Sequence, residues 1–440
     1  MKILFISLGC DKNLVDSEVM LGLLTKHGYT LTDDETQADV IVINTCCFIH
    51  DAKEESIQNI LEMAEYKKSG QVKALIVTGC LAQRYRQEIL DEIPEVDEVL
   101  GTTAYDKILD AVDRALEGEQ GIILSDLNAL PVSGAKRLVT TGGHFAYLKI
   151  AEGCDKHCTY CIIPKIRGNF RSVPMERLIK EAKELAEQGV KELILVAQET
   201  TLYGKDLYGE KCLHRLVEEL CKIAGIRWIR ILYCYPEEIT DELIEVIKKE
   251  PKVCHYLDLP IQHASDSILK RMGRRTSKQE LTDIVKKLRK EIPDICLRTT
   301  LITGFPGETE DQHEELMQFV DEMEFDRLGV FTYSPEEDTP AAVMPDQIAE
   351  EVKEERQADL MELQQEIAFD NAENMIGREM LVMIEGKVAD ENAYVGRTYR
   401  DAPNVDGLIF INTEEELISG DFAKVKITGA LEYDLIGELL

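Results

Sequence analysis

Cys154, Cys158 and Cys161 stand close together in the run Glu152-Gly153-Cys154-Asp155-Lys156-His157-Cys158-Thr159-Tyr160-Cys161. A tight loop with thiols at these spacings can place three thiolates on three irons of a cubane cluster, leaving the fourth iron open to substrate. Zinc competes for such loops, but a structural zinc site takes four ligands and no fourth cysteine lies nearby. The spacing favours a cluster. A second set is dispersed: Cys10 follows Gly9, Cys46 follows Asn44-Thr45 and Cys80 follows Thr78-Gly79, each at the end of an apolar, strand-like run. In a parallel sheet the strand C-termini share one edge, so thiols remote in sequence can converge there. Buried cysteines are common in cores; three in register, each beside glycine or a polar turn, favour a second cluster. Cys47 would point away from Cys46 if the strand continued and is given no role. Cys212, Cys221, Cys234, Cys254 and Cys296 lack ligand spacing and are read as packing.

The elements that must carry these thiols follow from hydrophobic period. Residues 2–9, 38–45, 74–79 and 96–101 read as strands, alternating with helices over 17–27, 52–66, 84–92 and 105–117. This βαβ rhythm implies a parallel, Rossmann- or flavodoxin-like domain over 1–117. Met1 to Cys10 faintly resembles a lipoprotein signal, but its apolar run is short and passes directly into Asp11-Lys12-Asn13, so it is read as the first strand. Gly, Pro and Ser break the rhythm over 118–143, read as a linker. Six more strands, 145–152, 192–197, 228–233, 256–260, 297–303 and 328–333, predict a partial (β/α)6 TIM-like barrel within 144–374, its functional groups on loops after the strands. A charged helix over about 346–374 leads out of it. Five short strands over 375–440 suggest a small antiparallel β-barrel.

Bulk properties set limits. The chain has 440 residues, 44% hydrophobic and 30% charged, with no apolar run near the length of a membrane span. Twelve cysteines without an export signal point to the reducing cytoplasm. A net charge of −33 repels polyanions, disfavours a large nucleic-acid footprint and suits a basic protein partner. The segment from Arg378 onward carries thirteen acidic against six basic residues, an odd balance for an RNA-binding barrel.

A C-x-x-x-C-x-aromatic-C loop after the first strand of a partial barrel resembles the radical S-adenosylmethionine superfamily. The resemblance implies that the open iron chelates S-adenosylmethionine, which one electron cleaves to a 5′-deoxyadenosyl radical. It puts Tyr160 beside the adenine; a rim or core tyrosine is the plain alternative. It also assigns cofactor contacts to Gln198-Glu199 and to the turn Gly304-Phe305-Pro306-Gly307-Glu308, in particular Gly304 and Glu308, although Pro-Gly turns are common punctuation.

Two three-cysteine sets and a terminal TRAM-like β-barrel are similar, over essentially the whole chain, to the methylthiotransferases. Within that family residues 7–18, 147–154 and 259–266 resemble the RimO-type branch, which modifies an aspartate β-carbon in small-subunit ribosomal protein twelve. The resemblance implies two 4Fe–4S clusters, one on Cys10, Cys46 and Cys80 and one on Cys154, Cys158 and Cys161. It also implies S-adenosylmethionine used both as methyl donor and as radical source, and a reductant such as flavodoxin or ferredoxin. Asp338 stands where glycine is usual, and Gly273 lies in a variant Arg271–Arg275 run. A tRNA methylthiotransferase is the runner-up, disfavoured by charge, because ribosomal protein twelve is strongly basic. A two-cluster electron carrier is a third reading, but four cysteines per cluster would be expected of it and no barrel. His157 and His263 invite an acid–base role that removal of a hydrogen atom does not require. Helix capping by Asp16 or Ser17 explains part of the segment that also holds Asn13 and Glu18.

Overall fold

The computed structural model describes residues 1–440 except 132–135 and 390–391. The first domain is a six-stranded, wholly parallel sheet of β1 (Lys2–Ser7), β2 (Thr30–Thr32), β3 (Val40–Thr45), β4 (Ala74–Gly79), β5 (Glu98–Leu100) and β6 (Gly121–Ile123). Its order, β2-β1-β3-β4-β5-β6, reverses direction between β1 and β3. In such a sheet the crevice at the strands' C-terminal ends beside the reversal is the natural ligand site. Strands β3 and β4 are buried along their whole length, as continuous Ile/Val runs with helices on both faces must be.

Three differences from the sequence reading have local causes. Strand β6 lies inside the segment 118–143 read as linker; it is three residues long, and periodicity cannot register over so short a run. Residues 132–135 of that segment lie outside those described. The edge strand β2 is equally short. The first helix is Asp11–Lys26, six residues longer at its start than the expected one, with Cys10 at the N-cap position. Asp16 and Ser17 are therefore buried mid-helix residues and cap nothing.

The central domain is a second parallel sheet of six strands, β7 (Phe145–Lys149), then β10 (Glu192–Val196), β11 (Trp228–Ile231), β12 (Val253–Asp258), β13 (Cys296–Thr303) and β14 (Arg327–Thr332), paired in sequence order. The expected strand 145–152 breaks at Ile150, and its end forms a two-stranded antiparallel ribbon of β8 (Ala151–Glu152) with β9 (Arg171–Ser172). The helix Glu350–Glu373 lies along the free edge of β14, where Gln357 Nε2 donates to the Val330 carbonyl at 2.6 Å. Among the described residues no helix is long and apolar enough to cross a membrane.

The last domain is a closed barrel of β15 (Glu379–Lys387), β16 (Ala393–Arg397), β17 (Ile409–Asn412), β18 (Phe422–Leu431) and β19 (Asp434–Leu439). Its pairings are antiparallel apart from the parallel contact of β17 with β19. Met383, Tyr399, Ala402 and Phe422 from this domain join Phe145, Trp228, Tyr256 and Cys296 in one apolar cluster, at the end of the central barrel opposite its strand-end loops. Buried ion pairs seal the junction: Glu192 meets Arg230 at 2.8 Å and Arg397 at 2.7 Å, and Tyr256 donates to Asp406 at 2.6 Å.

Candidate functional site

Cys10 lies three residues beyond β1 at a helix N-terminus, Cys46 follows β3, and Cys80 opens the helix Cys80–Glu92 directly after β4. The three thiols thus lie at the sheet's C-terminal edge beside its reversal. Two of them face helix N-termini, where the backbone dipole favours negative charge. The chain allows this convergence because of two glycines. A Cβ on Gly9 would sit 2.6 Å from Cys46 Cβ and 2.9 Å from its Sγ. One on Gly79, at φ +92°, would sit 2.3 Å from Asn44 Oδ1 and 2.5 Å from the Thr45 carbonyl oxygen. Burial pushes the Cys46 thiol up to about 12, with further repulsion from Cys80 and Cys10. Burial likewise raises Cys80, opposed by Arg167. Cys46 and Cys80 are buried and Cys10 is exposed, so the set opens to solvent on one side. Thiolates held this close repel one another, and a metal cluster supplies the compensating positive charge. The donor set fits such a group.

Arg167 is the residue that sequence reasoning missed. It is 2% exposed and donates to Asn13 Oδ1 at 2.9 Å and to Cys80 Sγ at 3.5 Å. It also pairs with Asp16 at 2.7 Å and with Glu152 at 3.4 Å. Lys149 completes the net on the same two carboxylates. This buried network ties the helix that begins after Cys10 to the segment entering Cys154. Glu18, also in that helix, serves elsewhere, pairing with Arg137 at 3.0 Å and accepting from the Thr140 N–H at 2.7 Å.

The second set occupies the loop after β8. Gly153 has φ +79°, and a Cβ there would fall 2.1 Å from the Asn169 carbonyl oxygen. Gln198 clamps the same point, accepting from the Gly153 N–H and donating to Glu152, both at 2.9 Å. The loop is pinned farther along by Thr159, whose N–H donates to Met272 O at 2.9 Å and whose hydroxyl donates to Arg271 O at 2.8 Å. Burial pushes Cys154 up to about 11, with Cys158 and Glu199 adding to it against Lys156. Burial and Cys158 raise Cys161 as well. Cys158 Sγ is 3.8 Å from the Tyr235 hydroxyl, and Arg274 stacks 4.2 Å from the centre of that ring.

The residues expected around S-adenosylmethionine divide into those with spare hydrogen-bonding capacity and those without. Glu199 is fully buried, its Oε2 accepts no hydrogen bond among the described residues, and its carboxyl is raised to about 7 by burial. Lys156 stands 3.8 Å away. Arg274 holds Pro260 O at 2.9 Å while its Nε and one terminal nitrogen remain unpartnered. These orphaned polar groups beside the cysteine loop suit a polar cofactor. Tyr160 lies edge-on to Phe305, 6.5 Å between ring centres, in a small apolar cluster with Met272 and Tyr333. Gln198 is tied to the loop through its Oε1 and one of its two Nε2 hydrogens. Gly304 lies against Lys353, whose Cγ is 2.2 Å from where a Cβ would be. Glu308 belongs with the first group: its Oε2 accepts from the Phe305 N–H at 3.1 Å, while its buried Oε1 has no hydrogen-bond partner among the described residues and meets Arg356 as an ion pair at 3.2 Å.

The remaining thiols and histidines are placed plainly. Cys212, Cys221 and Cys234 lie in the main apolar core, and Cys254 and Cys296 lie at the junction with the terminal barrel. Cys47 is buried in the core of the first domain, facing Arg84. His263 is buried, its Nδ1 accepting from the Ser265 N–H at 2.9 Å, and burial pushes it down to about 3. It is a neutral structural ring. His157 sits at φ +52° within the cysteine loop. Asp338 takes φ +65°, the left-handed conformation that explains a preference for glycine there, and its carbonyl accepts from Lys165 at 2.8 Å.

Family models match three stretches: the uncharacterized protein family UPF0004 over residues 2–101, the radical SAM superfamily over 148–320 and the TRAM domain over 376–440. The chain is 67% identical over 437 residues to the ribosomal protein uS12 methylthiotransferase RimO of Lachnoclostridium phytofermentans, with 99% of each chain covered. It is 51% identical to the protein of that name from Clostridioides difficile, covering 100% of this chain and 99% of the relative. Among solved structures, the radical S-adenosylmethionine methyltransferase TsrM from Kitasatospora setae shares the fold. Its TM-score is 0.57 at 14% identity, with 78% of this chain and 77% of that one covered. A cobalamin-dependent radical enzyme, OxsB, gives 0.52 at 14% identity over 83% of this chain and 56% of its own. Near-complete coverage at high identity, joined to two thiol sets on a parallel sheet edge and a barrel loop, makes the assignment: this chain belongs to the RimO-type methylthiotransferases of the radical S-adenosylmethionine superfamily.

Proposed function

We propose that this protein methylthiolates the β-carbon of an aspartate in ribosomal protein uS12, acting in the cytoplasm with electrons from a small carrier such as flavodoxin or ferredoxin. The observation that carries the substrate is the 67% identity, end to end, to a relative named for that activity. The charge of −33 supports a basic protein partner and little direct contact with nucleic acid.

Cys154, Cys158 and Cys161 are the ligands of one 4Fe–4S cluster and Cys10, Cys46 and Cys80 of the other. When bound, the clusters and S-adenosylmethionine supply a methyl group, a sulfur atom and a radical able to remove hydrogen from an unactivated carbon. The residues of the chain set the stage for that chemistry. Gly153 and Gln198 fix the entry of the cysteine loop, and Tyr160 with Phe305 offers an aromatic wall to the adenine. Glu199, Lys156, Arg274 and Glu308 supply polar groups to the rest of the cofactor, and Gly304 opens the turn that receives it. Arg167, Lys149, Asp16 and Glu152 join the elements that carry the two thiol sets through one buried ion-pair network.

Anaerobic reconstitution, iron and sulfide counting and mass spectrometry of uS12 and of tRNA after reaction test this reading. Two clusters per chain and a methylthio mass gain on uS12 alone are expected. A gain on tRNA, or a single cluster per chain, overturns it.

A further inference from the structure

We infer that Lys12 holds the side-chain carboxylate of the substrate aspartate beside the Cys10 set, an inference that rests on the function proposed above. Attack at a β-carbon one bond from a carboxylate needs that carboxylate fixed, and in a water-poor site a cation is what fixes it.

The cations around the strand-end mouth of the central barrel differ in how far they are already satisfied. Lys149 and Arg167 share Asp16 and Glu152. Lys156 faces Glu199 at 3.8 Å, Glu237 at 3.7 Å and Glu238. Arg274 keeps two nitrogens without hydrogen-bond partners among the described residues, but it stacks on Tyr235 beside Cys158, on the side given above to S-adenosylmethionine. Lys12, 7% exposed, meets one carboxylate among the described residues, that of Asp11 at 2.9 Å, and rests on the face of Tyr233, 3.3 Å from the ring centre. An aromatic face positions an ammonium without neutralising it, and the group has three N–H donors. Asp11 is itself shared, since its Oδ1 also accepts from the Tyr233 hydroxyl at 3.0 Å. Its Oδ2 is buried and without a donor among the described residues, free for an N–H from the substrate backbone.

The seat of Lys12 is held against strain. Tyr233 adopts φ +57°, an unfavourable conformation for a tyrosine, and is kept there by its N–H to Asp258 at 3.0 Å and by its carbonyl, which accepts from Thr200 N–H at 3.1 Å. Strain maintained by surrounding bonds is a mark of functional positions. The arrangement puts a partly satisfied cation two residues from Cys10, at the face where the first domain meets the mouth of the central barrel.

The test uses reconstituted full-length enzyme and a peptide spanning the modified aspartate of uS12, together with the same peptide carrying asparagine. Affinity is read by fluorescence anisotropy and initial rate by mass spectrometry. Lys12→Met is expected to weaken the aspartate peptide about 10- to 100-fold, the span typical of a hydrogen bond to a charged group, while leaving the asparagine peptide unchanged. Lys12→Arg is expected to keep the preference for aspartate. An unaltered ratio of the two affinities in Lys12→Met overturns the inference. Lys12→Gln, which retains a donor to Asp11, repeats the test with less disturbance, and loss of cluster iron in both variants would make Lys12 structural and likewise overturn it. Failure of the wild-type enzyme to modify uS12 strikes the proposed function instead.

Discussion

Cys154, Cys158 and Cys161 hang on one loop whose shape is set by close neighbours, Gly153, Gln198 and Thr159, whereas Cys10, Cys46 and Cys80 come from three strand ends and meet only because the whole sheet is assembled. The loop set is short-range in sequence and the sheet-edge set is long-range. The first is carried by one loop, pinned from outside by Gln198 and by the Arg271 and Met272 carbonyls. The second depends on register across β1, β3 and β4, so damage far from any thiol reaches it.

The largest effects separate the two sets by chemistry. Cys158→Ala is expected to abolish both deoxyadenosine formation and methylthiolated product, read by liquid chromatography; cleavage at the wild-type rate would remove Cys158 from the ligand set. Cys46→Ala is expected to retain cleavage of S-adenosylmethionine and lose the product. Next comes the network between the sets. Arg167→Met leaves Asp16 and Glu152 buried with less compensation and should cost about 3–5 kcal/mol, measured by denaturant unfolding of the reconstituted protein. A loss below ~1 kcal/mol would show that the two sets are not mechanically joined there.

The glycines test locality directly. Gly79→Ala and Gly153→Ala each force a side chain onto backbone oxygen at positive φ, at an expected cost of about 1–3 kcal/mol. Gly79→Ala should deplete iron from the sheet-edge set alone, and Gly153→Ala from the loop set alone, as resolved by spectroscopy of variants carrying one set.

Acid should act on the central domain through His263. Its folded value, about 3, lies below the ordinary 6.5, so the unfolded chain binds the extra proton between these values. Stability should fall as pH drops below about 6.5, by up to ~1.4 kcal/mol per pH unit from this group. His263→Gln should lose less melting temperature than wild type between pH 7.5 and 5.5. The smallest effect is expected of Asp338→Gly, which relieves the left-handed strain at φ +65° and should change stability by less than ~1 kcal/mol in the stabilising direction, read as melting temperature.

Much of this was legible in the residues. Each cysteine of both sets stands beside a strand whose apolar run is unmistakable, and the turn glycines mark where those strands stop. Helix Asp11–Lys26 was read too short because Asp16-Ser17 imitates a cap, while the true start carries a cysteine with no capping side chain. Arg167 was invisible because its partners Asn13, Asp16 and Glu152 lie in other elements, and no local pattern announces a bond across 154 residues. Lys12 carries no signal of its own in the sequence, since its value depends on Tyr233, in a different domain. Pairings within an element leave a periodic trace; pairings between domains leave none.

The junction of the terminal barrel with the central domain has a consequence for containment. A radical that strips hydrogen from ordinary carbon reacts with whatever reaches it, including solvent-borne thiols and dioxygen. The central sheet alone is an open trough, and its lower end is stoppered by Met383, Tyr399 and Ala402 and bolted by Glu192, Arg230 and Arg397. The terminal barrel is thus the floor on which the central sheet rests, and a chain shortened before residue 375 would bare Phe145, Trp228, Tyr256 and Cys296 to water even with every thiol in place.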